Sequence, residues 1–321
     1  MTVIFWIAFL SLIGVLLALD LGVFHKEDSQ PTIANSMVWT AVWIIISLLF
    51  SIFIYGAYNN HWLGMGLGAN GEVLKSGSQA VMEYLTGYVV EKSLSMDNIF
   101  VIAMVFGFFQ IPGKYQHRVL FWGIIGAVVL RAAMILVGTS LITKFSWLMY
   151  VFGAFLVFTA IKMLFSDDDN VDLESQRVVK WARKVFPLDT RLHDHAFFRR
   201  MEDGTLAMTP LFLALIVVEN TDVLFALDSI PAIFAITTDP FLVFTSNIFA
   251  ILGLRSMYFA LQAMLDKFKL LKYSLVFILA YVGVKMLIME VYHIPALFSL
   301  AVIIGSMTLG VLASYVQNKR A

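Results

Sequence analysis

One short stretch places several ionisable and polar side chains inside an otherwise apolar run that extends from Val81 to Phe109. The stretch Glu91-Lys-Ser-Leu-Ser-Met-Asp97-Asn98 carries two carboxylates, an amine and an amide. At the centre of a bilayer, each ionisable side chain costs about 2.5 to 3.5 kcal/mol on insertion scales, so such groups normally face a partner, a cavity or an ion path. The stretch is therefore predicted to form part of a functional site.

A second stretch, from Glu219 to Pro231, repeats this pattern. Asp222 and Asp228 stand six residues apart, as Glu91 and Asp97 do. The flanking residues are again apolar enough to span a membrane. We therefore interpret the two stretches as halves of one site.

Helix geometry governs which of these side chains can meet. Residues seven apart share a face of an α-helix, so Glu91 lies with Asn98, whereas a carboxylate six residues away is turned by about a third of a circle. Pro231 cannot donate a hydrogen bond to the carbonyl four residues earlier, so we expect the helix to be broken beside Asp228. Such a break would bring Asp222, Asp228 and a free carbonyl toward one cavity.

The donor atoms in both stretches are oxygens, which suit Mg²⁺, Ca²⁺ or Mn²⁺. The chain has no cysteine, which excludes thiolate ligands, disulfides and thiolate catalysis. Its six histidines all fall in predicted loops or at helix ends. The predicted metal ligands are Asp97, Asn98, Asp222 and Asp228, with Glu91 and Glu219 as further candidates.

The charges inside the predicted membrane spans leave a negative excess. Five acids in the two stretches stand against three basic side chains well inside the spans. The remaining two negative charges match one divalent cation, although protonation of buried carboxylates would neutralise them equally well. A set of buried ion pairs that only lock helices together is the structural alternative. The three bases that we predict to balance charge are Lys92, Arg131 and Arg255.

Composition places the chain outside the range of soluble globular domains. Hydrophobic residues make up 60% of its 321 residues, charged residues 14%, and the mean hydropathy is +0.85. This composition predicts an all-α, polytopic membrane protein in contact with a lipid bilayer. The formal net charge is zero and no extended basic surface is indicated, so a nucleic-acid partner is not expected.

Nine apolar segments are long enough to cross about 30 Å of hydrocarbon. The first of them lacks a charged leader and is predicted to be a retained helix. The spans lie near residues 2–24, 37–58, 81–109, 119–142, 147–165, 208–236, 241–264, 270–289 and 295–316. We predict one transmembrane domain over residues 1–321, with two leading helices (1–80), a first repeat (81–165), a cytoplasmic loop (166–207), a second repeat (208–290) and a final helix (291–321).

Loop charges predict the orientation, because cytoplasmic loops carry an excess of Lys and Arg. Eight basic residues fall on one side of the predicted membrane, and only Lys75 and Lys144 fall on the other. With nine crossings, the amino terminus is expected outside and the carboxyl terminus in the cytoplasm. The cytoplasmic segment 166–207 adds seven Lys and Arg, and its second part is predicted to be an amphipathic interfacial helix.

The two halves of the chain also align with each other over three predicted helices. An odd number of crossings per repeat gives the two units opposite directions in the membrane, which is the inverted-repeat plan of many secondary transporters. Chance similarity between apolar helices is the alternative. The aligned pairs include Glu91 with Asp222, Asp97 with Asp228, Asn98 with Ser229, Arg131 with Arg255, Tyr150 with Tyr273, and Lys162 with Lys285.

At the motifs Glu91-Lys-Ser-Leu, Asp97-Asn98 and Asp228-Ser-Ile-Pro, the sequence resembles the TerC family of bacterial inner-membrane proteins. The resemblance covers nearly the whole chain, and the family is similar in architecture to LysE-type exporters. It implies export of manganese and a historical association with tellurite resistance. The residues that the resemblance marks as functional are the acids Glu91, Asp97, Asp222 and Asp228.

Site chemistry and resemblance together predict an inner-membrane transporter that exports a divalent cation, preferably Mn²⁺, by alternating access in exchange for protons. Ca²⁺ and Mg²⁺ are the less favoured cargoes. An intramembrane enzyme is not expected, because the chain contains no His-Glu-x-x-His and no Gly-x-Ser-x-Gly motif. The remaining alternative is an accessory membrane protein for metal homeostasis or tellurite resistance. Direction, coupling ion and oligomeric state do not follow from the sequence.

Overall fold

The computed structural model describes residues 3–19, 32–68, 70–165, 179, 187, 196–201, 204–262, 270–292 and 294–320. These residues contain ten α-helices and one short β-hairpin, which confirms the mostly helical architecture predicted from the sequence. The helices are α1 (Val3–Ala18), α2 (Ile33–Asn59), α3 (Gly77–Phe108), α4 (Gly113–Lys144), α5 (Leu148–Phe165), α6 (Pro210–Phe234), α7 (Pro240–Ile251), α8 (Leu254–Gln262), α9 (Leu271–Leu287) and α10 (Ala296–Arg320), and the strands are β1 (Phe198–Arg200) and β2 (Leu206–Met208).

Five of the described helices are long and apolar enough to cross a membrane, namely α2, α4, α5, α6 and α10. The number rises to six if α7 and α8 form one bent span. Of the other predicted spans, α1 and α9 have 16 and 17 residues, and the 32-residue α3 carries the charged stretch around Glu91. A multi-pass membrane protein is therefore supported, and the count of nine spans stays a prediction.

The seventh predicted span is interrupted in the structure. Helices α7 and α8 meet at 40°, and the break falls at Leu252 and Gly253. Gly253 adopts a left-handed φ of +77°, and a Cβ at this position would lie 2.7 Å from the Trp43 ring. Only glycine fits both the backbone conformation and the contact with α2.

Pro231 does not break α6, contrary to the prediction. The helix runs without interruption from Pro210 to Phe234, and Pro231 lies in its last turn. Pro231 lacks the N–H that would donate to the Leu227 carbonyl oxygen, but only three residues of α6 follow it, so the helix loses this one bond close to its end. Every residue from Ser229 to Phe234 is buried, so packing against neighbouring helices stabilises this turn.

Helix pairing defines the centre of the protein. Helix α3 packs against α7 and against α6, α4 packs against α6, and α5 packs against α9. The α5–α9 contact is close because two glycines face each other, and a Cβ on Gly283 would lie 2.8 Å from the Gly153 carbonyl oxygen. Small residues permit such backbone approach between membrane helices.

Burial separates inner from outer helices. Every residue of α7 from Phe241 to Ile251 is buried. The outer helices α2 and α5 instead expose large apolar side chains, including Ile52 at 66% and Phe165 at 82%. Exposed apolar surface of this kind is what a helix presents to hydrocarbon. The site must therefore lie between α3, α4, α6 and α7.

The hairpin lies at the end of the predicted cytoplasmic segment. Strands β1 and β2 are antiparallel, with Phe198 opposite Met208. The Phe198 ring packs on Phe212 of α6, with ring centroids 4.3 Å apart. The predicted interfacial helix near residues 178–186 lies outside the described residues, except for Val179, which is buried.

Candidate functional site

Arg131, in the middle of α4, joins two carboxylates that belong to different helices. Its Nη1 group forms an ion pair with Oε1 of Glu91 in α3. Its Nη2 group donates to Oδ1 of Asp222 in α6 at 2.8 Å, and its Nε group donates to Oδ2 at 3.3 Å. The planar guanidinium fork suits this two-point contact. Because the Arg131 side chain is 1% exposed, solvent screens these charges little.

Two amide side chains complete the arrangement. Asn247 of α7 is fully buried; it donates from Nδ2 to Glu91 Oε2 at 3.2 Å and accepts from Arg131 Nη1 at 3.4 Å. Asn98 of α3 donates from Nδ2 to Asp222 Oδ1 at 3.4 Å. We call these five residues the Arg131 cluster. Sequence analysis missed Asn247, whose only signal is an amide in an apolar helix without ionisable neighbours.

A small cavity of about 30 Å³ lies beside Asp222, between α3, α4 and α6. Its polar lining consists of Asn98, Thr221 and Asp222, and Gly123 and Ala127 contribute to the α4 wall. This volume suffices for one or two water molecules. The Oδ1 atom of Asn98 is buried and accepts no hydrogen bond from the described residues, although buried polar atoms normally have a partner. Asn98, a residue of the cavity lining, therefore carries an amide oxygen without a hydrogen-bond partner among the described residues.

Asp228 is separated from the Arg131 cluster. It lies two turns after Asp222 on the continuous α6 and accepts a hydrogen bond from Thr159 Oγ1 of α5 at 3.1 Å. The positive charge of Lys162, also in α5, acts on the same carboxylate. The straight helix directs Asp222 toward α4 and Asp228 toward α5, so the structure does not bring these two acids together.

Glu219 lies one turn before Asp222 and faces α4. A Cβ on Gly126 would lie 1.9 Å from Glu219 Oε1, so the carboxylate occupies the space that a larger residue would fill. Its Oε2 atom is buried and has no hydrogen-bond partner among the described residues. Glu219 is thus a second acid near the cavity side of the Arg131 cluster, and Arg131 does not neutralise it.

The other predicted site residues are Asp97 and Lys92, in α3, and Arg255, in α8. The backbone of Asp97 lies in α3, but its side chain is outside the described part of the structure. Lys92 donates to the carbonyl oxygens of Ala250 at 3.1 Å and Leu252 at 3.4 Å, at the end of α7, where a cation is favoured by the helix dipole. Arg255 is buried in α8 at 3% exposure.

No group of three His, Asp or Glu side chains converges within the described residues. Glu91 and Asp222 are instead held by one guanidinium, while Glu219 and Asp228 point to other neighbours. In this conformation Glu91 and Asp222 are therefore arranged as partners of one positive side chain. The ligand set predicted from the sequence consequently remains a prediction.

A further polar group, which the sequence analysis did not identify, lies toward the amino-terminal end of α3. Glu83 forms an ion pair with Lys75 and accepts from Gln79 Nε2 at 3.1 Å. Lys75 also donates to Thr237 Oγ1 at 3.0 Å, in the turn between α6 and α7. We call these four residues the Lys75 cluster. They link the loop before α3 to the end of α6, on the opposite side of Glu91 from the cavity.

The family can be assigned from sequence comparison. The pattern of the family described as "Integral membrane protein TerC family" matches residues 76–321, which include the whole Arg131 cluster. The chain belongs to the TerC family. No solved structure matches it significantly.

Relatives in the TerC family match over nearly their full length. A protein of Myxococcus xanthus, named "Uncharacterized membrane protein STKORF319", is 42% identical over 98% of this chain and 93% of its own. Proteins named "Putative membrane-bound redox modulator Alx" are 43% identical in Photorhabdus laumondii, over 98% of this chain and 95% of the relative, and 42% identical in Escherichia coli K12, over 95% and 92%. This integral membrane protein is therefore similar to the Alx proteins of the TerC family.

Proposed function

We propose that this TerC-family protein is an inner-membrane transporter that moves a divalent cation, preferably Mn²⁺ outward, through the Arg131 cluster. The observation that carries the proposal is the cavity beside Asp222, which is lined by this residue and by Asn98, whose amide oxygen has no hydrogen-bond partner among the described residues. Arg131 supplies the positive charge at this position. A cation that enters the cavity can take over the Arg131 contacts to Asp222, so binding exchanges one positive partner for another.

The donor chemistry supports a hard cation. Asn98 and Asp222 offer an amide oxygen and a carboxylate beside the cavity. Glu219, one turn before Asp222, offers a second carboxylate whose Oε2 atom has no hydrogen-bond partner among the described residues. Such oxygen ligands suit Mn²⁺, Mg²⁺ and Ca²⁺. Asp97 and Asp228 would complete the ligand set after a movement of α3 or α6. Manganese is preferred to the other two ions because of the family resemblance.

The proposal includes nine spans arranged as two inverted repeats. Under the alignment of the halves, α3 corresponds to α6, α4 to α7 with α8, and α5 to α9. If each helix is replaced by its counterpart in the other repeat, the α3–α7 contact becomes the α4–α6 contact. The α3–α6 and α5–α9 contacts each join two helices that correspond to each other. A pseudo-two-fold relation between two three-helix units accounts for this pattern.

The proposed topology also predicts from which side of the membrane an ion reaches the site. With the amino terminus outside, the cavity lies on the cytoplasmic side of Arg131 and the Lys75 cluster lies on the outer side. The Lys75–Glu83 ion pair joins the loop before α3 to the α6–α7 turn. The described conformation would thus admit an ion from the cytoplasm, and release would require the Lys75 cluster to separate.

An accessory role remains the second candidate, because relatives carry a name that refers to redox modulation. The present chain contains no cysteine, so thiol–disulfide exchange by its own residues is excluded. An accessory protein of this kind would act on other factors and would not carry Mn²⁺ itself. Purified protein in liposomes distinguishes the two functions.

The test measures Mn²⁺ uptake into proteoliposomes that contain a trapped, metal-quenched dye. We expect wild-type protein to transport Mn²⁺, and we expect Asp97→Asn and Asp228→Asn to abolish transport while they still insert and purify. Glu72→Gln, in the exposed loop before α3, is the matched control and should transport normally. Transport by both Asn variants at the wild-type rate would contradict the site, and inactive wild-type protein would favour the accessory role.

A further inference from the structure

The repeat alignment identifies a residue pair that breaks the symmetry of the site. Glu91 corresponds to Asp222, and Arg131 corresponds to Arg255. Counting eight residues back from each arginine pairs Gly123 with Asn247. Because α7 packs on α3 as α4 packs on α6, the alignment places Gly123 beside α6 where Asn247 lies beside α3. A Cβ on Gly123 would come closest to Val218, one turn before Asp222.

Asn247 closes the Glu91 side. Its amide donates to Glu91 Oε2, and Arg131 donates to Glu91 Oε1, so both carboxylate oxygens have a partner. Glu91 is 1% exposed and Asn247 is 0% exposed. The described lining of the cavity does not include either residue. Among the described residues, the contacts to Arg131 and Asn247 enclose the Glu91 carboxylate in this conformation.

Gly123 leaves the Asp222 side open. Glycine has no side chain to fill the position of the Asn247 amide, and the cavity lies there, lined by Gly123, Asn98 and Asp222. The Asp222 side chain is 14% exposed, against 1% for Glu91. Asn98, whose Oδ1 atom has no hydrogen-bond partner among the described residues, lines the same cavity. Asp222 is therefore the carboxylate that borders open space, where a cation can approach it and take over its Arg131 contacts.

From this asymmetry we infer that the two equivalent carboxylates have different roles, an inference that rests on the proposed transport function. Asp222, with Asn98, is the carboxylate that exchanges Arg131 for the cation. Glu91, with Asn247, is a positioning residue that retains Arg131 throughout and does not bind the cation. Arg131 then moves between a fixed and an exchanging partner, and it stays ion-paired when Asp222 is occupied.

Two matched pairs of variants test this assignment: a carboxylate pair, Asp222→Asn and Glu91→Gln, and an amide pair, Asn98→Ala and Asn247→Ala. Each purified variant is titrated with Mn²⁺ alone. Asp222→Asn and Asn98→Ala each alter an oxygen donor that the proposal assigns to the cation, and a tenfold loss of affinity corresponds to about 1.4 kcal/mol. We therefore expect Asp222→Asn and Asn98→Ala to weaken Mn²⁺ binding by about tenfold or more. Glu91→Gln and Asn247→Ala should keep the affinity within about threefold of wild type and lower the melting temperature instead.

The amide pair keeps the test decisive if a carboxylate variant fails to fold. Asn98 contacts Asp222 and lines the cavity, whereas Asn247 contacts Glu91 and Arg131 and does not line it. Equal losses of affinity in the two members of a pair that folds would overturn the assignment, as would a larger loss in Asn247→Ala than in Asn98→Ala. No saturable Mn²⁺ binding by the wild-type protein would instead overturn the proposed function, and the assignment with it. The two failures are thereby distinguished.

Discussion

Replacement of Arg131 by glutamine tests whether one guanidinium maintains both carboxylates. Arg131 donates three charge-assisted hydrogen bonds, one to Glu91 and two to Asp222, at 1% exposure. Its removal leaves the buried Glu91 and the partly buried Asp222 without a cation, and breaking a fully buried ion pair in this way costs about 3 to 5 kcal/mol. We expect Arg131→Gln to unfold at a clearly lower temperature than wild type when metal is chelated.

A bound cation should restore part of this loss. Ligand at about 100 times its Kd stabilises a folded protein by about 2.7 kcal/mol. In Arg131→Gln the cation no longer competes with a guanidinium for Asp222, so binding should be tighter and transport slower. Saturating Mn²⁺ should consequently raise the melting temperature of the variant more than that of wild type.

The assay is thermal unfolding of purified protein, followed by tryptophan fluorescence in chelator and along a Mn²⁺ titration. Arg118→Gln is the matched control, because Arg118 lies on the same helix but packs over the Phe197 ring outside the Arg131 cluster. We expect the control to respond to Mn²⁺ as wild type does. Normal stability of Arg131→Gln in chelator, or weaker Mn²⁺ binding by a folded variant, would refute the reasoning.

Three further predictions concern packing, orientation and protons. Gly126→Ala should lower both the melting temperature and the transport rate, because its Cβ would meet the Glu219 carboxylate. The control is Gly107→Ala, which should leave both unchanged because no atom lies within 4 Å of its Cβ. Single cysteines at Asn70 and Gln317 should react with an impermeant maleimide from opposite faces of membrane vesicles, and reaction from one face would contradict the proposed topology. Mn²⁺ binding should release protons, so its calorimetric heat should depend on the ionisation enthalpy of the buffer, and a buffer-independent heat would argue against proton exchange.

The sequence identified the charged motifs because ionisable residues in apolar helices are rare. The run from Val81 to Phe109 corresponds to α3, and the equivalence of Glu91 and Asp222 anticipates two acids that share Arg131. The pattern of residues along the chain was sufficient here, because each of these charged motifs lies within one helix or within two helices of similar sequence. The family was recognisable from the same motifs.

Features that depend on packing between distant segments were not predictable. Pro231 has a strong tendency to break a helix, but six buried residues hold the last turn of α6. Asn247 is one polar residue in an apolar helix, and its importance arises only because α7 packs on α3. The Lys75–Glu83 pair likewise requires the loop before α3 to fold back on the helix. The spacing of residues along the sequence does not reveal any of these contacts.

The sharing of one guanidinium by two carboxylates has an electrical consequence. With all three groups ionised, Glu91, Arg131 and Asp222 carry a formal charge of −1, and a divalent cation changes it to +1. Each elementary charge that crosses 100 mV gains or loses about 2.3 kcal/mol. In a cell with a negative interior, export would therefore work against the membrane voltage both when the loaded site turns outward and when the empty site returns. Two protons carried inward on acids of the site other than Glu91, which stays paired with Arg131, would make the exchange electroneutral. Export would then be independent of voltage and driven by the pH gradient.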